Sequence, residues 1–150
     1  MRMILFAVSL TAAVVFSAAC SSDSGKKTDV KVQLSEWTVS ADKTSVPKGE
    51  VTFDVENKGK EDHDLVIIRT DLASDQLPAK DDRSADEGAE GLKVIGKTNT
   101  IEAGDNDSRV FTLDPGKYVL ISNEVRDTDN GKEADYEKGM RTQFTVADTQ

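Results

Sequence analysis

His63 and Cys20 are the only histidine and the only cysteine in the chain. Any chemistry that needs imidazole or thiol must therefore run through these two residues. His63 stands between Asp62 and Asp64, Ser122 follows an apolar run, and Asp135 and Met140 flank a Tyr-Glu-Lys-Gly stretch. A second group, Asp127, Asp129 and Asp135, places oxygen donors around Gly131 as a loop for a hard cation such as calcium would. The register is wrong for an EF-hand, because Gly131 is the fifth residue from Asp127 instead of the sixth, and the flanks are not helical. A solvated acidic turn is the plainer expectation. Catalytic patterns are missing: no Gly-x-Ser-x-Gly elbow accompanies the single histidine, and no glycine-rich phosphate loop is present. Asp86, Glu87 and Glu90 lie in a polar loop that would not hold paired carboxylates at a fixed spacing. The expectation is a protein that is not an enzyme.

Cys20 has a different context. Met1-Arg2-Met3 opens the chain with a positive charge, Ile4 to Phe16 is uncharged, and Ser17-Ala18-Ala19 supplies small residues before the cysteine. That layout is a secretory signal over residues 1–19. It resembles the lipobox of bacterial lipoproteins, with Ser17 where leucine is usual. The resemblance implies cleavage before Cys20 and lipidation of its thiol. The apolar run is shorter than the ~20 residues a finished membrane-spanning helix needs. Residues 20–29 then read as lipidated cysteine and flexible tether, and residues 30–147 as one domain.

Loss of Arg2 with the leader takes the formal charge from -9 to -10. So acidic a domain is a poor match for nucleic acid, and anionic headgroups would repel it. Membrane attachment falls to the anchor, and a partner would be a basic protein surface or a cation. With no second cysteine, no disulfide within the chain can staple the fold.

The elements that must position these residues read as strands. Val30, Val32 and Leu34 alternate with polar residues, as do Val51, Phe53 and Val55. Pro47-Lys48-Gly49 lies between them as a turn. Leu65 to Ile68 is continuously apolar, the pattern of a strand buried on both faces. Arg109 to Leu113, Lys117 to Asn123 and Met140 to Val146 continue the series, with Asp114-Pro115-Gly116 as a turn. Only Leu72 to Leu77 hints at a helical turn. Ala79 to Glu90 predicts a weakly ordered surface loop, and Asn123 to Lys138 a long polar insertion. The sum is an all-β, antiparallel sandwich of about seven or eight strands.

Several segments in order resemble the cupredoxin family across residues 30–146. They are Glu36-Trp37, Val46-Pro47-Lys48-Gly49, Asn57-Lys58-Gly59 with His63-Asp64-Leu65-Val66, Ile101-Glu102-Ala103-Gly104, Pro115-Gly116-Lys117-Tyr118-Val119-Leu120, and Tyr136-Glu137-Lys138-Gly139-Met140. The resemblance implies a Greek-key sandwich and, in the blue-copper members, two histidines, one cysteine and an axial methionine around the metal. Carried over residue by residue, the first histidine is His63 and the methionine is Met140. The cysteine position holds Ser122, and the second histidine position holds Asp135. A thiolate with two imidazoles suits both oxidation states of copper, and a serine hydroxyl cannot replace the thiolate.

The resemblance therefore implies a degenerate copper site with no resident cofactor. The expected role is a non-catalytic binding or interaction domain, lipid-anchored in the cell envelope and facing outside the cytoplasm. Two alternatives accompany it: a weak, non-blue copper site at His63 and Met140 serving copper handling or electron transfer, and a calcium-stabilised Asp127–Asp135 loop. The plainest structural roles are a surface or half-buried His63, a core Met140 and a packing Trp37.

Overall fold

A computed structural model describes residues 27–148; the leader, Cys20 and most of the tether lie outside the described residues. The elements are β1 (Thr28–Ser35), β2 (Thr38–Ala41), β3 (Ser45–Pro47), β4 (Gly49–Asn57), β5 (Val66–Arg69), β6 (Lys93–Lys97), β7 (Asn106–Leu113), β8 (Gly116–Ile121), β9 (Val125–Thr128), β10 (Gly131–Ala134), α1 (Asp135–Lys138) and β11 (Arg141–Ala147). One sheet has the order β2-β1-β4-β7 and the other β3-β11-β8-β5-β6, while β9 and β10 form a separate hairpin. The expected sandwich is present, with more strands than the alternation predicts. The extra ones are short or carry little alternation, as in Lys93–Lys97. Most pairings are antiparallel, but β1 pairs β4 in parallel, as β11 pairs β3. Both parallel pairs arise because the chain leaves one sheet after β2 and joins the other at β3.

Period-two alternation puts Val30, Val32 and Leu34 of β1, and Val51, Phe53 and Val55 of β4, into the space between the sheets. They meet Leu65, Ile67, Tyr118, Leu120, Phe144 and Val146 there. Each such side chain stabilises the fold by roughly 1.5–3 kcal/mol. The Phe53 ring stands tilted against Phe144 with centroids 5.6 Å apart. At the open edge, Phe111 of β7 lies over Gly96 of β6, where any Cβ would collide with the ring.

The sheet containing β5 and β8 is covered on both faces. Val66, Ile68, Val119 and Ile121 point outward into a second cluster with Leu77, Ala85 and Tyr136. This is why Leu65 to Ile68 is apolar without alternation. It also corrects the expectation of a weakly ordered 79–90 loop. Ala85 is fully buried, Ala79 and Ala85 form a β-bridge, and Asn123 Oδ1 accepts the Ala85 N–H at 2.8 Å. The segment is polar because one side faces water, and ordered because the other roofs the sheet. Residues 72–77 form turns, and the helix is instead α1, closed by Gly139 in the left-handed region at φ 115°. Among the described residues no helix is long and apolar enough to cross a membrane.

Candidate functional site

The four positions derived from the sequence meet at one end of the sandwich. His63, Ser122, Asp135 and Met140 are all fully buried. His63 is placed by the turn after β4. Asn57 donates through Nδ2 to the Glu61 and Ile101 carbonyls at 2.8 and 2.9 Å, and its Oδ1 accepts the Gly59 N–H at 2.9 Å. His63 then exchanges two backbone hydrogen bonds with Ile101, at 3.1 and 2.7 Å. His63 is fully buried, not surface or half-buried as expected, and its ring is turned in toward the Asp135 carboxylate.

Ser122 directly follows β8, and its N–H donates to the Met140 carbonyl at 3.0 Å. Asp135 opens α1, and its carbonyl accepts the Met140 N–H at 3.0 Å. Met140 belongs to the main core, the plainer of its two sequence readings.

The side chains converge on the Asp135 carboxylate. His63 Nδ1 lies 2.7 Å from Oδ2, and the Ser122 hydroxyl donates to the same oxygen at 2.6 Å. An ionised carboxylate only accepts, so Nδ1 carries the hydrogen of the first contact. Oδ1 accepts Arg126 Nη1 at 2.7 Å. Burial by itself pushes the Asp135 carboxyl up, but the hydrogen bonds from His63, Ser122 and Arg126 outweigh it and hold the group below the usual carboxylate range.

Arg126 comes from β9 and is fixed on other sides too. Its Nη2 donates to the Asp62 carbonyl at 3.0 Å, Glu133 lies 3.8 Å away, and the guanidinium stands 5.9 Å from the centre of the Trp37 ring. Trp37 is half-buried, with the Lys138 ammonium 4.9 Å from its ring centre. It occupies the β1–β2 turn with φ 68°, a left-handed conformation that costs a non-glycine residue roughly 1–2 kcal/mol. Its neighbour Glu36 accepts the Lys60 and Glu61 backbone N–H groups, and the Lys60 bond above all holds its carboxyl below the usual range. His63 Nε2 has no hydrogen-bond partner in the protein; Glu36 Oε1 is 4.0 Å away.

A second buried carboxylate, Asp64, lies across Ser122. Its Oδ1 accepts the Asn123 N–H at 2.7 Å, and its own N–H donates to Ser122 Oγ at 3.2 Å. The single hydroxyl hydrogen of Ser122 is already directed at the nearer Asp135. Burial, opposed only in part by these bonds, pushes the Asp64 carboxyl up to about 6.

The three acidic residues of the calcium reading do not form one site. Asp127 pairs with Lys132 at 2.9 Å across the β9–β10 hairpin, while Asp135 lies beyond β10 with both oxygens engaged inside. Among the described residues no group of three or more His, Cys, Asp or Glu side chains is arranged to hold a metal ion. Sequence reading also misses Arg126 and Asp64. The available signal for Arg126 is that it is the one arginine in the acidic 123–138 insertion.

The fold is a cupredoxin-like β-sandwich. The auracyanin of the photosynthetic bacterium Roseiflexus castenholzii is similar at 24% identity and TM-score 0.55, over 80% of this chain and 96% of that one. Auracyanin B is similar at 20% identity and TM-score 0.53, over 80% and 88%, and rusticyanin at 14% and 0.54, over 83% and 81%. No family model matches the chain, and no curated protein sequence matches it.

The residues at the positions that the resemblance aligns with the copper ligands do not fit a type 1 copper site. A metal site needs acceptors turned toward a cation. Here a carboxylate oxygen sits among the donors, and the ring nitrogen of His63 that faces the other positions is bonded to it. The hydroxyl of Ser122 supplies no thiolate.

Proposed function

We propose that this protein is a lipid-anchored cupredoxin-like domain of the cell envelope that has exchanged redox chemistry for a structural polar core. Its role in this reading is a non-catalytic binding or interaction module. The observation that carries it is the convergence of His63, Ser122 and Arg126 on the Asp135 carboxylate. A cupredoxin transfers electrons through a covalent copper–thiolate centre, and these residues supply neither the thiolate nor a cation-facing cavity. Cys20 supports attachment through acylation, and tethering by residues 20–29 would let the domain reach a partner. The acidic surface favours a basic protein surface or a cation over nucleic acid.

The test is titration of the detergent-solubilised full-length protein with Cu(I) and Cu(II). No stoichiometric binding at micromolar metal, and no intense visible band, is expected. Tight binding lost in His63→Ala would replace this reading with copper handling. Mass spectrometry of the N-terminal peptide checks the anchor: a diacylglyceryl-modified Cys20 is expected, and an unmodified thiol would remove it.

A further inference from the structure

We infer that the former metal end has become an anion receptor, shaped for a small planar carboxylate and filled by the chain's own Asp135. This rests on the reading that the copper site is lost, and it assigns the polarity of what replaced it. The three donors come from separate segments: His63 from the loop after β4, Ser122 from just beyond β8, and Arg126 from β9. They meet one carboxylate at 2.7, 2.6 and 2.7 Å, two on Oδ2 and one on Oδ1. Charge-assisted bonds of this length are the strong kind.

The backbones of two donors, and the guanidinium of the third, are also held without the Asp135 side chain. His63 is pinned by its backbone pair with Ile101, Ser122 by its N–H on the Met140 carbonyl, and Arg126 by the Asp62 carbonyl. The segments that carry the three donors are thus held independently of the Asp135 side chain. Removing the carboxylate would leave a buried hole lined by donors, which favours an anion and opposes a metal ion beside the guanidinium. The orphaned Nε2 of His63 adds no acceptor toward Asp135, since it is the ring's other nitrogen.

Asp135→Ala deletes only the carboxylate, and formate has the shape of the deleted group. The experiment measures thermal midpoints of full-length wild type, Asp135→Ala and Asp135→Ala/Arg126→Gln in detergent, with sodium formate against sodium chloride at equal ionic strength. Formate is expected to recover at least half of the midpoint lost in Asp135→Ala, saturably. It should leave wild type unmoved and do at least threefold less for the double variant. Equal effects of formate and chloride, equal rescue of the double variant, or stabilisation of Asp135→Ala by Zn(II) in place of formate would each overturn the proposal.

If Asp135→Ala does not fold, refolding followed by the fluorescence of Trp37 takes over. Recovery in formate but not chloride supports the receptor, and no recovery in either overturns it. Failure here leaves the copper titration of wild type untouched, so the two readings fall separately.

Discussion

Asp64 and Asp135 stand on either side of the Ser122 hydroxyl, both withdrawn from water, and they are displaced in opposite directions. Asp135 meets a guanidinium, an imidazole and a hydroxyl, and is held below the usual carboxylate range despite its burial. Asp64 receives one close backbone N–H and a distant share of Ser122, and rises to about 6. Burial is common to both, so burial does not set the charge; the number and sign of the donors do. One hydroxyl hydrogen cannot serve two acceptors, and its assignment to Asp135 leaves Asp64 short.

The largest effect that could break this contrast is expected at Asp135. Asp135→Ala strands the buried ends of Arg126, Ser122 and His63, and breaking a buried charged pair costs about 3–5 kcal/mol. Chemical denaturation at neutral pH measures it, and a loss under about 1 kcal/mol would mean the donors find water or other partners.

Asp64 should behave in the reverse sense. Its folded pKa lies above its unfolded value, so the folded state binds the proton more tightly and stability falls as pH rises from about 4 to about 6. Asp64→Asn keeps an acceptor for Asn123 and removes the charge. It should flatten that fall and raise stability at neutral pH by up to about 3 kcal/mol. A variant with an unchanged pH–stability curve would sink the assignment. Asp135, with its depressed value, loses its contribution only below the unfolded carboxylate pKa, so the two windows are separate.

Arg126→Gln sharpens the comparison by making the Asp135 side resemble the Asp64 side. A cost of about 1.5–3 kcal/mol is expected, with the acid-unfolding midpoint moving to higher pH. The Asp135 carboxyl resonance followed by NMR would show the same upward displacement, and a static resonance would argue that His63 and Ser122 suffice. The smallest effect belongs to the hairpin tip. Asp127→Ala removes an exposed pair with Lys132, and neither it nor added chelator should measurably move the melting midpoint. A drop with chelator would revive the calcium reading.

These contrasts bear on how much the sequence discloses. Alternation in β1 and β4 exposes the inner face directly, since a period of two can bury only one side. The unbroken Leu65 to Ile68 run announces a doubly covered strand but not its cover, because Leu77 and Ala85 reach it from a polar segment. The grouping of His63, Ser122, Asp135 and Met140 at one end of the sandwich is legible through the resemblance of ordered segments to the cupredoxin family. Arg126 is not, because an arginine in an acidic insertion reads equally well as a solvated surface charge.

What the sequence settles alone is a matter of inventory. A chain whose single cysteine is Cys20 and whose single histidine is His63 cannot assemble a cysteine and two histidines at one site. Composition closes that question without coordinates. Tertiary structure decides how the residues at those positions are used, because the direction of a hydrogen bond depends on which groups face each other across the fold. His63, Ser122 and Arg126 are separated along the chain and polar in the same bland way as many neighbours. Only their arrangement around Asp135 turns these three polar residues into donors surrounding an anion.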